Sequence, residues 1–423
     1  MYHSYQASYS AIAQATFNRL SGLCTRHDVW KDAHERWVTS VKISPNGTRI
    51  VSGAMDSMVK VWDRNSGSWL QYLRGHSSAV SSVSFPTDRT VVSGSRDGTS
   101  KVWDTETGSC RCTFIHAGER QWVNAVEAWS VSASAEASKS PVTLGRQVGG
   151  ARDIQNANKS FSLFGNPGGG IGNMSTSSSP SALLVATGTS KGLLGVWDER
   201  IPSRPAIVLQ DSPQPGVLPP TIMGSIYCVS AHSGACLAAG AASGNICGDE
   251  HRYLFDLRKD TPLQTLQAHS TAVTCMVSRS RMLISGSLGG SVLVHGIRGE
   301  TCEVLGSNLE FLGGYSHEEW VRSVDEVDGC VVSCCKRGEI KLSCLKAGEV
   351  SNDPVDAGGL EIVDTAWSLS HEAKDPGSGM NSDLCVDHAH SVAVDASGVV
   401  AGCQDKSVQL FWFSKNGKAL IFA

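Results

Sequence analysis

GHSSAVSSVSFPTDRTVVSGSRDGTSKVWD, residues 75–104, holds three strand-length runs separated by two turns. From Ala79 to Phe85 apolar residues are interspersed with serines, and Thr90 to Ser95 opens on β-branched residues, so both read as strands. Arg96-Asp97-Gly98 turns the chain sharply, because Asp-Gly accepts the positive φ of a short hairpin. A third strand closes on Trp103-Asp104, and after TETG a fourth follows in SCRCTFIHAG. Four short antiparallel strands in about 40 residues bury little on their own, so such a unit must stack on copies of itself.

The copies are present. AHERWVTSVKISPNGTRIVSGAMDSMVKVWD (33–63) repeats the design, with His34 and His76 separated by 42 residues and Trp62 and Trp103 by 41. Trp103 and Trp197 are 94 apart, one period plus 53. The excess lies in a Ser-, Gly- and Asn-rich stretch at 130–182, too poor in apolar residues to fold, and is expected to be a disordered loop. VATGTSKGLLGVWDER (185–200) completes the third unit, and further units follow at 225–258, 268–297, 317–345 and 390–413. Seven units of about 40 residues suit a closed ring of small sheets, in which radial repetition protects the strand edges.

This period, with Gly-His ahead of the innermost strand and Trp-Asp ending the third, resembles the WD-repeat family over residues 33–413. The resemblance implies an all-β fold: a seven-bladed WD-repeat β-propeller over 26–423 with a disordered insertion in blade 3, preceded by an N-terminal segment, 1–25. It also implies a structural tetrad of His, Ser, Asp and Trp in each blade. The matching residues are His34, Ser52, Asp56 and Trp62 in blade 1 and His76, Ser93, Asp97 and Trp103 in blade 2. A buried hydrogen-bond chain through these four groups would lock the blade. Recurrence at one spacing with a Trp at the end argues against a catalytic His/Ser/Asp triad. Later blades are expected to be softer, since Lys191, Gly289 and Arg337 stand where blades 3, 5 and 6 would carry the Asp. Either residues 26–32 or KALIFA (418–423) would supply the outer strand that closes the ring; the N-terminal segment is the expected one.

HERWVTSV (34–41), ERQWVNAV (119–126) and HEEWVRSV (317–324) share a Trp-Val step at the start of an innermost strand. The resemblance places that start at one mouth of the central channel, so Trp37, Trp122 and Trp320 should rim it in blades 1, 3 and 6. Each indole could pack over its own tetrad, or the three could anchor a partner, since rigid aromatics with a polar tip are enriched at interface hot spots. With Arg36, Arg96 and Lys336 nearby, the expected ligand is a short peptide segment or loop of mixed charge.

Other classes find little support. A net charge of −4 with no basic run argues against nucleic-acid binding, and no apolar stretch is long enough to span a bilayer. The N-terminus lacks a signal-peptide pattern, so the fourteen cysteines read as reduced thiols and the compartment as cytosol or nucleus. GNPGGGIGN (165–173) has the glycines of a phosphate loop without its Lys-Ser/Thr. Cys110 and Cys112, or Cys330, Cys334 and Cys335, lack partner pairs at zinc spacing, and DHAH (387–390) suits the loop leading into a blade. No cofactor, metal or catalytic set is expected. The function expected is a non-enzymatic protein-interaction scaffold; a propeller enzyme, the reading of a different class, would need an acid, base or metal set around the channel.

Two resemblances suggest a narrower role, as substrate receptor of a cullin-type ubiquitin ligase. WDER (197–200) looks like the Trp-Asp-x-Arg ending through which some WD-repeat proteins dock on a ligase adaptor, here Trp197, Asp198 and Arg200. Lys191 and Gly195 depart from that longer motif. ATFNRLSGLCTRHDVWKDA (15–33) resembles the tail of a truncated F-box, and this reading competes with the use of 26–32 as a closing strand.

Overall fold

The computed structural model describes residues 24–116, 121–131, 182–209, 224–233, 236–242, 252–256, 262–266, 268–279, 282–297, 309–347, 360–369 and 388–413. The strands among them form seven four-stranded antiparallel sheets, each a blade. Their innermost strands are Val38–Ile43, Val80–Thr87, Val123–Val131, Ile226–Ser233, Val273–Arg279, Val321–Val327 and Ala389–Asp395. Each touches the next, and the last touches the first, so the ring is closed. No helix among the described residues is long and apolar enough to cross a membrane.

The hairpin between the second and third strands has the geometry expected of Asp-Gly. Gly98, Gly192, Gly290 and Gly338 occupy one turn position with φ between 80° and 88°, and Ser57 and Lys406 take it in blades 1 and 7 at 65° and 73°. Blades then pack face to face around paired small and branched residues. A Cβ on Gly53 would lie 2.7 Å from Val80 Cγ1, one on Gly94 2.6 Å from Val126 Cγ1, and one on Gly402 2.6 Å from Val38 Cγ1. Gly286 clears the same space for Val321. Between blades 6 and 7 the pair is exchanged: Cys334 replaces the glycine and Ala389 the valine, and both lie in one buried cluster. The apolar core therefore sits between neighbouring sheets, as where Val51, Val61 and Leu73 of blade 1 meet Val80, Val83 and Trp103 of blade 2.

Side chains of the innermost strands also stitch blade to blade. The Thr39 and Thr274 hydroxyls donate to the carbonyls of Val80 and Val321, and the Asn124 amide donates to that of Ile226. One step deeper, Ser40 Oγ accepts the Val83 N–H at 3.1 Å, Ser82 that of Val126 and Ser391 that of Val41. Innermost strands carry no neighbour on the channel side, so these contacts join the blades where no ladder can. Ser40→Ala is expected to cost about 2 kcal/mol by leaving the buried Val83 N–H unpaired; a loss below about 0.5 kcal/mol in urea unfolding would show that water replaces the hydroxyl.

Ring closure uses the N-terminal strand, Cys24–Trp30, which pairs antiparallel with Val408–Phe413 as the outer strand of blade 7. It begins two residues ahead of the boundary expected from sequence. His27 stacks on Phe411 with ring centroids 4.6 Å apart, and Asp28 accepts the Trp412 indole N–H at 2.9 Å. Arg64 of blade 1 makes a two-pronged bond to Asp395 of blade 7 and lies over the Trp412 ring. The second half of the stretch likened to an F-box is thus a strand; residues 15–23 and KALIFA lie outside the described residues. The expected insertion also lies outside them from 132 to 181, while Ser130 and Val131 belong to one strand of blade 3 and Ala182 to the next. Nine described cysteines are free thiols and Cys236 is disulfide-bonded, which departs from the expectation of reduced thiols throughout.

Candidate protein-interaction face

The face that carries the hairpin turns is held in shape by the tetrads. In blade 1 His34 Nδ1 meets Asp56 at 3.0 Å, its Nε2 meets Ser52 Oγ at 2.7 Å, and the Trp62 indole donates to Ser52 at 2.8 Å. Blade 2 repeats this through His76, Asp97, Ser93 and Trp103 at 2.8, 2.7 and 2.8 Å. The indole can only donate, so the Ser hydroxyl accepts from it and donates its own hydrogen bond to Nε2, which leaves Nδ1–H facing the carboxylate. Burial lowers the pKa of His34 against the pull of Asp56, which keeps the ring neutral. Burial pushes Asp97 up, but bonds from His76 and Thr99 outweigh it and hold this carboxyl far below the usual range. The same Asp97 oxygen accepts the Ser77 N–H, so the lock also fixes the loop leading into the blade.

The later blades are not simply deprived of their locks. In blade 6 Arg337 does occupy the Asp position, but Glu339, two residues on, reaches His317 Nδ1 at 2.8 Å; Ser343 stands in the Trp position, and Tyr315, from the outer strand of blade 5, bonds Ser333 at 2.7 Å in place of an indole. In blade 5 Ser291 meets His269 Nδ1 at 2.7 Å, although Gly289 stands in the Asp position. In blade 3 the Trp197 indole donates to Thr187, and His116 packs edge-on against Trp197 while bonding Ser100 of blade 2. Spacing alone misses Glu339 and Ser291, because both fall outside the tetrad register; a polar residue at the end of each hairpin turn is the signal that could have found them.

Trp37, Trp122 and Trp320 share one address. Their carbonyls accept the N–H of Met55, Ser190 and Lys336 at 2.9, 2.9 and 2.8 Å. The equivalent bonds in the other blades are taken by Ala79, Ser225, Ala272 and His388, so all seven positions lie on the turn-bearing face. The three indoles remain 40%, 45% and 47% exposed. Two of the contacts come from neighbouring blades and the third from within blade 6. Trp37 stacks on His390 of blade 7 at 5.5 Å, Arg96 of blade 2 lies 5.2 Å from the Trp122 ring, and Lys336 lies 4.5 Å from Trp320.

Between blades 1 to 3 this face holds a cavity of about 560 Å³ lined by Glu35, Arg36, Met55, Ser78, Arg96 and Trp122. A second, of about 280 Å³, lies at the channel mouth against Thr39, Thr274, Trp320, Arg322 and His390. Arg322 donates to His390 Nδ1, and burial, then this cation, lowers the His390 pKa to about 4. The ring is therefore neutral near pH 7 and presents a flat surface beneath Trp37. Arg36 and Arg96 line the first cavity with Trp122, and Lys336 lies against Trp320; Glu119 and Arg120 lie outside the described residues.

The adaptor-like ending is arranged differently. Trp197 and Asp198 are buried, and Asp198 accepts both from the Arg200 backbone N–H and, at 2.9 and 3.1 Å, from its guanidinium Nε. The half-exposed Arg200 head is the accessible part of that triplet.

Residues 26–63, 67–104 and 260–295 match the family described as WD domain, G-beta repeat. The first two stretches contain the two complete tetrads. A 54-residue stretch is 36% identical to the Lissencephaly-1 homolog of Monosiga brevicollis, covering 13% of this chain and 13% of that protein. Over 60 residues the chain is 30% identical to the transcriptional corepressor LEUNIG_HOMOLOG of Arabidopsis thaliana, covering 14% of this chain and 8% of that protein. The matches therefore span a small part of either relative. Family match, tetrads and ring of sheets agree: the chain carries repeats of the WD-repeat family, set in a ring of four-stranded sheets.

Proposed function

We propose that this chain is a non-enzymatic scaffold of the cytosol or nucleus that holds a segment of a protein partner on its turn-bearing face. The observation that carries the reading is the set of three half-exposed indoles at equivalent positions, two of them beneath cations. Apolar area of this size left open beside a cavity is surface that a partner can cover, and truncating such aromatic anchors has large effects in known interfaces. The cavity wall offers Glu35 beside Arg36 and Arg96, which favours a segment with charges of both signs. Loops pinned by tetrads lose little freedom on binding, so less of the contact energy is spent on ordering. The family in general supplies such scaffolds.

The test is cross-linking capture with mass spectrometry, comparing the wild-type chain with Trp37→Ala/Trp122→Ala/Trp320→Ala. The captured partners are expected to fall by at least about a hundredfold, because each anchor is worth about 2 kcal/mol in such interfaces. The melting temperature should move by only a few degrees, since the indoles are open to solvent. An unchanged set of partners, or a variant that unfolds, would assign the indoles to packing.

A further inference from the structure

We propose that blade 6 contains a transition-metal site of the zinc class, formed by His317 Nδ1, Cys335 Sγ and a carboxylate oxygen of Glu339. The three donor atoms all lie within 4.8 Å of one another. Four-coordinate zinc places such donors roughly 3.3–3.6 Å apart, given bond lengths of about 2.0–2.3 Å, so small side-chain adjustments suffice. His317 and Cys335 are buried, whereas the Glu339 side chain is partly open to solvent. Glu339 thus marks both the way in and the side on which water would complete the tetrahedron.

Comparison among blades separates this cluster from an ordinary tetrad. The residues equivalent to His317, Cys335 and Glu339 in blade 5 are His269, Ser287 and Ser291, a hydrogen-bonded set with Ser287 Oγ and Ser291 Oγ 2.9 Å apart. Neutral hydroxyls at these positions are therefore enough for packing. Blade 6 has a soft sulfur and an acid in their place, which are zinc ligands. In blades 1 and 2 the carboxylate comes instead from the third residue of the turn, and the first residue is Ala54 or Ser95, so neither blade has a thiol there.

The hydrogen-bond chain behind the ring also differs. In blades 1 and 2 the indole fixes the direction of the chain and leaves a proton on Nδ1. For blade 6 the corresponding group is the hydroxyl of Tyr315, reaching across from the outer strand of blade 5, which both donates and accepts. Nε2–H of His317 can then donate to Ser333, Ser333 to Tyr315, and Nδ1 presents its lone pair to the metal. A second partner that orients the ligating imidazole in this way is typical of zinc sites. Burial keeps the Cys335 thiol protonated in the absence of metal. On binding, the S–H proton leaves to solvent, His317 exchanges one neutral tautomer for the other, and thiolate plus carboxylate neutralise the dication.

The experiment titrates cobalt(II), then zinc, into the metal-free full chain in a Cys110→Ser/Cys112→Ser background, which removes the closely spaced, more accessible thiols of blade 2 as a competing site. One equivalent of cobalt should produce thiolate-to-metal charge-transfer and tetrahedral d–d absorption, reversed by zinc. Cys335→Ser should abolish the charge-transfer band, and Glu339→Gln should weaken zinc binding by at least about tenfold. Cys334→Ser, an adjacent thiol in the same strand, should change neither. No charge-transfer band in the wild-type background, or a band that survives Cys335→Ser in chains shown to be folded by circular dichroism, would overturn the site.

Discussion

Trp103→Ala is expected to lower the stability of the chain by about 4 kcal/mol in urea unfolding, and Trp103→Phe by only about 1–2 kcal/mol. Trp103 is fully buried between blades 1 and 2, against Val80, Val83 and Leu73. Alanine would remove most of that filling and leave a cavity the closed ring cannot easily collapse, since both neighbouring sheets are held by further contacts. Phenylalanine keeps most of the volume but withdraws the indole N–H from Ser93 Oγ. Ser93 would still bond His76, so the chain loses its end rather than its middle. Equal costs for the two variants would show that the hydrogen-bond chain outweighs the packing. A cost of less than about 2 kcal/mol for alanine would mean that the blades move together to fill the gap.

Acid is expected to weaken the fold well before its carboxylates titrate. Burial lowers the pKa of His116 from 6.5 to about 4, and of His390 to about 4, and it lowers His34 and His317 as well. Between pH 6.5 and 4 the unfolded chain binds protons that these native rings refuse, so stability falls as pH falls through that window. At about 1.4 kcal/mol per pH unit, His116 alone accounts for a loss on the order of 3 kcal/mol. The buried Nδ1 of His116 has no hydrogen-bond partner among the described residues, which fits a ring that resists charging. Asp56, Asp97 and Asp395, whose pKa values are lowered in the fold, extend the loss below pH 3.8. Urea midpoints measured from pH 7.5 to 4.5 should fall steadily, and His116→Phe should flatten part of the slope. A flat profile above pH 5 would mean that these rings bind protons in the native state as easily as in the unfolded one.

Much of the turn-bearing face was legible in the chain. Trp37, Trp122 and Trp320 could be given one address because each precedes a Val at the start of an innermost strand, and the seven equivalent carbonyl bonds place them together. Arg96 and Lys336 were legible for the same reason, as they sit in turns that follow the repeat. The blade-6 lock was not. Glu339 lies outside the register that marks Asp56 and Asp97, and its reach to His317 depends on how the turn from Cys335 to Glu339 is wound. The stitches from Ser40, Thr39 and Asn124 were hidden for another reason: a small polar residue in a strand looks alike whether it faces water or a neighbour's backbone.

Period, residue type and turn chemistry specified the individual blade, because hairpin geometry and hydrophobic alternation are set within a few neighbouring residues. They also specified the shared face of the three indoles, since a repeated strand start gives a repeated position. Choice of the closing strand, the replacement of Trp by Tyr315 and of Asp by Glu339, and the grouping of His317 with Cys335 came with the closed ring. Each depends on contacts between strands or turns whose separation in space follows from pairing and closure, and distance along the chain does not encode it.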